Sequence, residues 1–128
     1  MPSRKPIVWV MKEQVKRGVN GPEAMDYTPA MRYGEIRFIT DFDLPLYGTG
    51  TLTEAWWKAV HRFVKEFDEK IDFLVATGQP LAMVLIGYAL GVHEFNPTFL
   101  IWRREENKYI PFKPLMSAPV GLIIPIGV

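Results

Sequence analysis

Residues 72–92 read DFLVATGQPLAMVLIGYALGV, and the reading of this stretch decides the fold. Its first part, 72–76, carries an apolar run without alternation, as a strand does when both faces of its sheet are covered. Thr77, Gly78, Gln79 and Pro80 then turn the chain, and Pro80 marks a helix start because proline suits the first helical position. Residues 80–90 are apolar on nearly every side, which predicts a central, buried helix. Gly87 and Gly91, four apart, allow a neighbouring element to approach it closely. Strand, tight turn and helix in this order form the unit of parallel α/β sheets. The turn of such a unit lies at the sheet edge where ligands bind.

The same stretch raises a membrane question. Residues 73–92 are twenty in a row without a charge, long enough for a transmembrane helix. The turn at 77–80 divides them into two pieces, and neither spans a bilayer alone. No membrane partner is expected, and a cytoplasmic protein is the default reading. The N-terminus, MPSRKPIVWVMKEQ, has basic residues but no long apolar core of a secretory signal.

Outward from this unit, residues 51–67 place apolar side chains at Leu52, Ala55, Trp56, Ala59, Val60, Phe63, Val64 and Phe67. These three- and four-residue steps predict a helix with one buried stripe. Thr51 and Glu54 have capping-box spacing at its start. Strands are expected at 7–11 (IVWVM), at 35–40 (EIRFIT, with one exposed face) and at 98–102 (TFLIW). RREENK at 103–108 suits a hairpin turn, with 109–112 returning as an edge strand where Pro111 is tolerated. Residues 16–34 hold Gly18, Gly21, Pro22, Pro29 and Gly34 and read as a long irregular connection. Met25, Tyr27, Met31 and Tyr33 make it too apolar for a solvated linker, so it should pack onto the domain.

The expected fold is a small three-layer α/β domain over residues 1–114, with a mainly parallel sheet in the order β-β-α-β-α-β-β and an antiparallel edge hairpin. Right-handed crossovers would make the strands near 36–40, 72–76 and 98–102 parallel neighbours. Residues 115–128 form an apolar tail interrupted by Pro119 and Pro125. Each large apolar side chain left in water forgoes about 1.5–3 kcal/mol, so the tail should dock on its own domain or on a partner subunit.

Composition excludes several function classes. The chain has 128 residues, 48% of them apolar and 23% charged, which is globular. A net charge of +1 gives no field that favours nucleic acid, so a nucleic-acid partner is not expected. The absence of cysteine excludes disulfides, thiolate metal sites and a cysteine nucleophile. Two histidines, His61 and His93, are too few for a histidine-rich metal site; the first reads as a surface residue and the second as part of a helix exit turn. The only serines, Ser3 and Ser117, lie near the ends, and Tyr88 reads as core, so a binding protein is expected before an enzyme.

Parallel strands gather residues distant in sequence at one edge. Asp41 and Asp43 follow one strand, Thr77, Gly78 and Gln79 the next, and Arg103 or Arg104 the third. Both helices open at this edge, one of them at Gly50 and Thr51, and helix N-termini favour anions. Asp41, Asp43, Gly50, Thr51, Thr77, Gly78, Gln79 and Arg103 therefore compose an expected site for a small anionic ligand such as a nucleotide, in a Rossmann-like setting. The aspartates would meet a ribose or a cation, and Arg103 would grip a phosphate. No phosphate-loop or dinucleotide glycine motif accompanies them, and no motif names a cofactor or a resident metal. The alternative is a small interaction or accessory subunit, of viral or mobile-element type, working through its apolar tail, its long loop and Trp57. Such a subunit would form a homo-oligomer or bind a protein partner.

Overall fold

The computed structural model describes residues 4–13, 15–46 and 50–114; the expected tail lies outside the described residues. Seven strands and two α-helices follow in order: β1 (Ile7–Val10), β2 (Val15–Gly18), β3 (Gly21–Ala24), β4 (Glu35–Phe38), α1 (Gly50–Glu66), β5 (Phe73–Val75), α2 (Pro80–Val92), β6 (Thr98–Arg103) and β7 (Lys108–Phe112). Single 3-10 turns stand at Thr28–Ala30 and Arg104–Glu106. Five strands form one sheet in the order β4-β1-β5-β6-β7, parallel except for the β6–β7 hairpin, so this is a small α/β fold.

The strand order corrects one expectation. The strands at 35–38 and 73–75 are not neighbours, because β1 lies between them, paired to both. The physical reason is in the side chains. All four residues of β1 are buried, two toward each face, whereas β4 exposes Glu35 and Arg37. A strand apolar on both faces belongs at the centre of a sheet, and charged residues are tolerated at an edge.

Ile7, Trp9 and Met11 face the layer built by α1 and α2, together with Leu74 of β5 and Trp56, Val60, Phe63, Ile86 and Leu90 of the helices. Val8, Val10, Val75 and Leu100 face the other way, toward Tyr27 and Ala30. The β1–β4 connection thus covers one face, and both helices cover the other. The first moves across the sheet in the opposite direction from the helical crossovers, on the opposite face, so all three share one hand.

Three local readings change. The segment read as irregular contains the antiparallel pair β2–β3, in register from Val15 opposite Ala24 to Gly18 opposite Gly21. Its strands are four residues each and one holds Pro22, too short and too interrupted to show a period. Of its apolar residues, Met25, Tyr27 and Tyr33 pack onto the sheet, as expected, whereas Met31 is 59% exposed. The helix α1 begins at Gly50, so Thr51 lies within its first turn and is not the cap. And α2 is not buried all round. Ala82, Ile86, Ala89 and Leu90 enter the core, but Tyr88 and three other large apolar residues face outward, and Cβ atoms at Gly87 and Gly91 would meet nothing within 4 Å.

At the N-terminal edge of the sheet, Asp72 is fully buried and ties the chain together. Its carboxylate accepts from the backbone N–H of Ile7 and Asp68 and from the Trp9 indole, each at 3.0 Å, and from both terminal nitrogens of Arg4. Sequence reading gave Asp72 no role beyond the start of a strand. An acid at the head of an otherwise apolar run was the available signal.

Candidate functional site

The C-terminal ends of β1, β4, β5 and β6 share one edge, as parallel pairing requires. Between β1 and β5, where the strand order reverses and ligands commonly bind, the space is filled. Gly78 sits at φ +137°, a conformation that side chains rarely adopt, and a Cβ there would meet the Met11 side chain at 3.2 Å. Gln79 accepts from the Leu44 backbone N–H at 2.8 Å and donates to the Leu44 carbonyl at 3.2 Å. This two-bond clamp fastens the 41–46 loop to the β5–α2 turn, and both ends of the amide are engaged on backbone. Leu44 and Met11 are buried beneath it.

The eight expected site residues are distributed as follows. Gly78 and Gln79 meet the loop that carries Asp41 and Asp43. Both aspartates are exposed, and Asp43 lies 3.6 Å from the Lys12 ammonium. Gly50 and Thr51 are exposed in the first turn of α1. Arg103 pairs with Glu106 at 3.1 Å in the β6–β7 turn, where Lys108 also reaches Glu106 at 3.0 Å. The Lys108 hydrogen bond and charge, with Arg103 beside them, hold the exposed Glu106 carboxyl below its ordinary range. Among the described residues, no group of three or more histidine, aspartate or glutamate side chains gathers to hold a metal ion.

Thr77 alone of the eight opens into a larger cleft, on the face of the sheet away from the helices. This cleft has a volume of about 510 Å³ and is floored by Val75, Ala76, Leu100 and Trp102. Met25, Asp26 and Pro29 of the β1–β4 connection form one wall, and Arg104, Asn107 and Tyr109 of the hairpin form the other. Trp102 meets Tyr109 edge to face at 5.0 Å. Burial, with Tyr27 and Asp26 nearby, raises the Tyr109 phenol above its ordinary pKa and keeps it protonated. Asn107 at φ +52° makes the left-handed turn that brings Arg104 and Tyr109 to one wall. An apolar floor with a few polar groups at the rim is the usual form of a small-molecule site, and the volume falls within the usual range. The sequence-based site names Arg103, but the cleft is lined by its neighbour Arg104; strand alternation from Leu100 through Trp102 is the signal that selects the cleft side.

The family model of the phage Pam3 gp32-like protein matches residues 6–115, which take in every strand and both helices. The chain belongs to this family. No curated protein and no solved structure matches it.

The family span also contains the outer face of α2. Leu81, Val84, Tyr88 and Val92 recur at helical spacing and are between 46% and 69% exposed. Trp57 and Leu85 are half-buried and packed against the helix-side core. Among the described residues, no helix is long and apolar enough to cross a membrane. The apolar circumference of α2 predicts burial on every side, and its exposed outer stripe corrects that expectation.

Proposed function

We propose that the chain is a small phage accessory protein that works by binding another protein, with the outer face of α2 as its contact surface. The observation that carries this reading is the stripe Leu81, Val84, Tyr88 and Val92, four large apolar side chains directed away from the core on one helix. Contiguous apolar surface of this kind marks interaction sites, and an exposed tyrosine at its centre is a typical anchor. The family description, a phage protein, agrees with the accessory reading. Tyr88→Glu removes nothing from the core, because Tyr88 is 69% exposed. It is expected to leave thermal unfolding of the isolated chain nearly unchanged and to weaken association by at least tenfold, about 1.4 kcal/mol. Light scattering of the chain, alone and co-expressed with other proteins of its phage, reads this as particle mass. Equal masses for both forms in every combination would remove α2 from consideration.

The cleft favours a second reading, a binding protein for a small anionic ligand such as a nucleotide. Arg104 and Thr77 would hold the anionic group, and Trp102 offers a partly exposed ring beside them. A ligand at about a hundred times its Kd raises folding stability by about 2.7 kcal/mol. A panel of nucleotides at millimolar concentration is expected to shift the thermal midpoint for at least one member, and Arg104→Ala to abolish that shift. No shift across the panel would count against this reading and leave the contact reading standing.

A further inference from the structure

Two helices cannot cover five strands. The helix side of β6 and β7 shows this directly. Phe99 packs toward the α1–α2 core, so Ile101, two residues on, shares its face, and the register places Phe112 opposite Phe99 and Ile110 opposite Ile101. Four large apolar side chains therefore form a patch on the edge hairpin. Ile101 is 41% exposed and Phe112 54%, while Phe99 and Ile110 are half-buried.

We propose that residues 115–128 fold back across the helix-side face of β6 and β7 and cover this patch within the same chain. Three observations identify the occupant. The segment begins three residues after Phe112, itself a member of the patch. Its sequence, LMSAPVGLIIPIGV, has no charged residue and is dense in large aliphatic side chains. Its reach is ample: fourteen extended residues span roughly 46 Å, against roughly 17 Å for the five residues of β7. Pro119 and Pro125 suit it to an extended path, since neither continues a helix nor donates to one. The location also matters. β7 is the edge strand of the sheet, and such edges need cover against pairing with other chains. Covalent attachment gives the segment an effective concentration in the millimolar range at this patch. A second copy's segment would have to overcome the loss of translational and rotational freedom as well. The patch residues lie on β6 and β7 and not on α2, and the tests below change no residue of α2.

The chain contains no cysteine, which makes a cross-linking test clean. In the full chain, Ile101→Cys is combined in turn with Leu122→Cys, Ile123→Cys, Ile124→Cys and Ile126→Cys and oxidised. An intrachain disulfide in at least one combination is expected, with the mass of a single chain. A disulfide that joins two chains overturns the proposal in favour of exchange between copies. No disulfide in any combination overturns it as well. Hydrogen exchange supplies a readout free of disulfide geometry. Ile123→Asp with Ile124→Asp is expected to speed exchange at residues 108–112 at least tenfold, and an unchanged rate is a second result against cover by this segment.

Discussion

Asp72→Ala is expected to cost the domain about 3–5 kcal/mol, the typical penalty for breaking a buried, hydrogen-bonded ion pair by removing one partner. The carboxylate is inaccessible to solvent and serves five donors from three parts of the chain: Arg4 twice, the Ile7 and Asp68 backbones and the Trp9 indole. Its removal leaves buried N–H groups at Ile7 and Trp9 without acceptors, and each such group costs about 1–3 kcal/mol. Asp72→Asn restores the shape but turns an NH2 toward some of these donors, so it should recover only part of the loss. Urea unfolding followed by tryptophan fluorescence measures both. The same site gives a pH dependence. Burial alone would raise the Asp72 carboxyl, but Arg4, Asp68, Trp9 and Ile7 together hold it below its ordinary value of 3.8. The unfolded chain then takes up the proton first as the pH falls. Stability from this site is complete above the unfolded value and is lost as the pH drops through the lower folded one. In the wild type, unfolding free energy should therefore decline with acid in that window, and in Asp72→Asn this component of the decline should be absent.

Gly34→Ala is expected to rank next. Gly34 stands where the β1–β4 connection joins β4, and the following residue, Glu35, donates its N–H to the Pro6 carbonyl at 3.1 Å. A Cβ at Gly34 would lie 2.5 Å from that carbonyl oxygen and 2.8 Å from its carbon, both backbone atoms that no side-chain rotation can move away. The substitution must push β4 from β1 at the first rung of their ladder. Overpacking of this kind costs about 1–3 kcal/mol and sometimes more. Chemical denaturation should show the loss, together with faster hydrogen exchange confined first to residues 35–38. A midpoint equal to wild type would mean that the ladder tolerates the separation.

The legible parts of this molecule were those in which local pattern and tertiary role agree. The α1 stripe predicted eight inward positions: Trp56, Ala59, Val60, Phe63, Val64 and Phe67 are buried, whereas Leu52 and Ala55, near the start of the helix, are exposed. The turn at Gly78 and the helix start at Pro80 followed from backbone chemistry alone. Pairing partners were not legible, because the local pattern of β1 states that it is central without stating which strands flank it. For α2, an apolar circumference fits burial on all sides and burial on one side with a contact face on the other, and periodicity cannot separate the two. At the sheet edge, types such as Gln79 and Asp41 were recognised as polar groups near a turn. The Gln79 amide is engaged by Leu44, thirty-five residues away, a partnership no spacing rule encodes.

The central position of β1 has a consequence for how the protein is made. Ile7–Val10 leaves the ribosome before both of its partner strands, apolar on both faces, and one of its ladders needs Phe73 and Leu74. The backbone N–H of Ile7 waits for the carboxylate of a residue 65 positions later. At about 5–20 residues per second, synthesis of that interval takes about 3–13 s. Throughout it, the nascent chain carries an apolar strand with at most one of its two ladders made, a segment able to stick to its neighbours on a crowded polysome. The yield of native protein during rapid expression should thus be governed by what shields these few residues before the middle of the chain arrives.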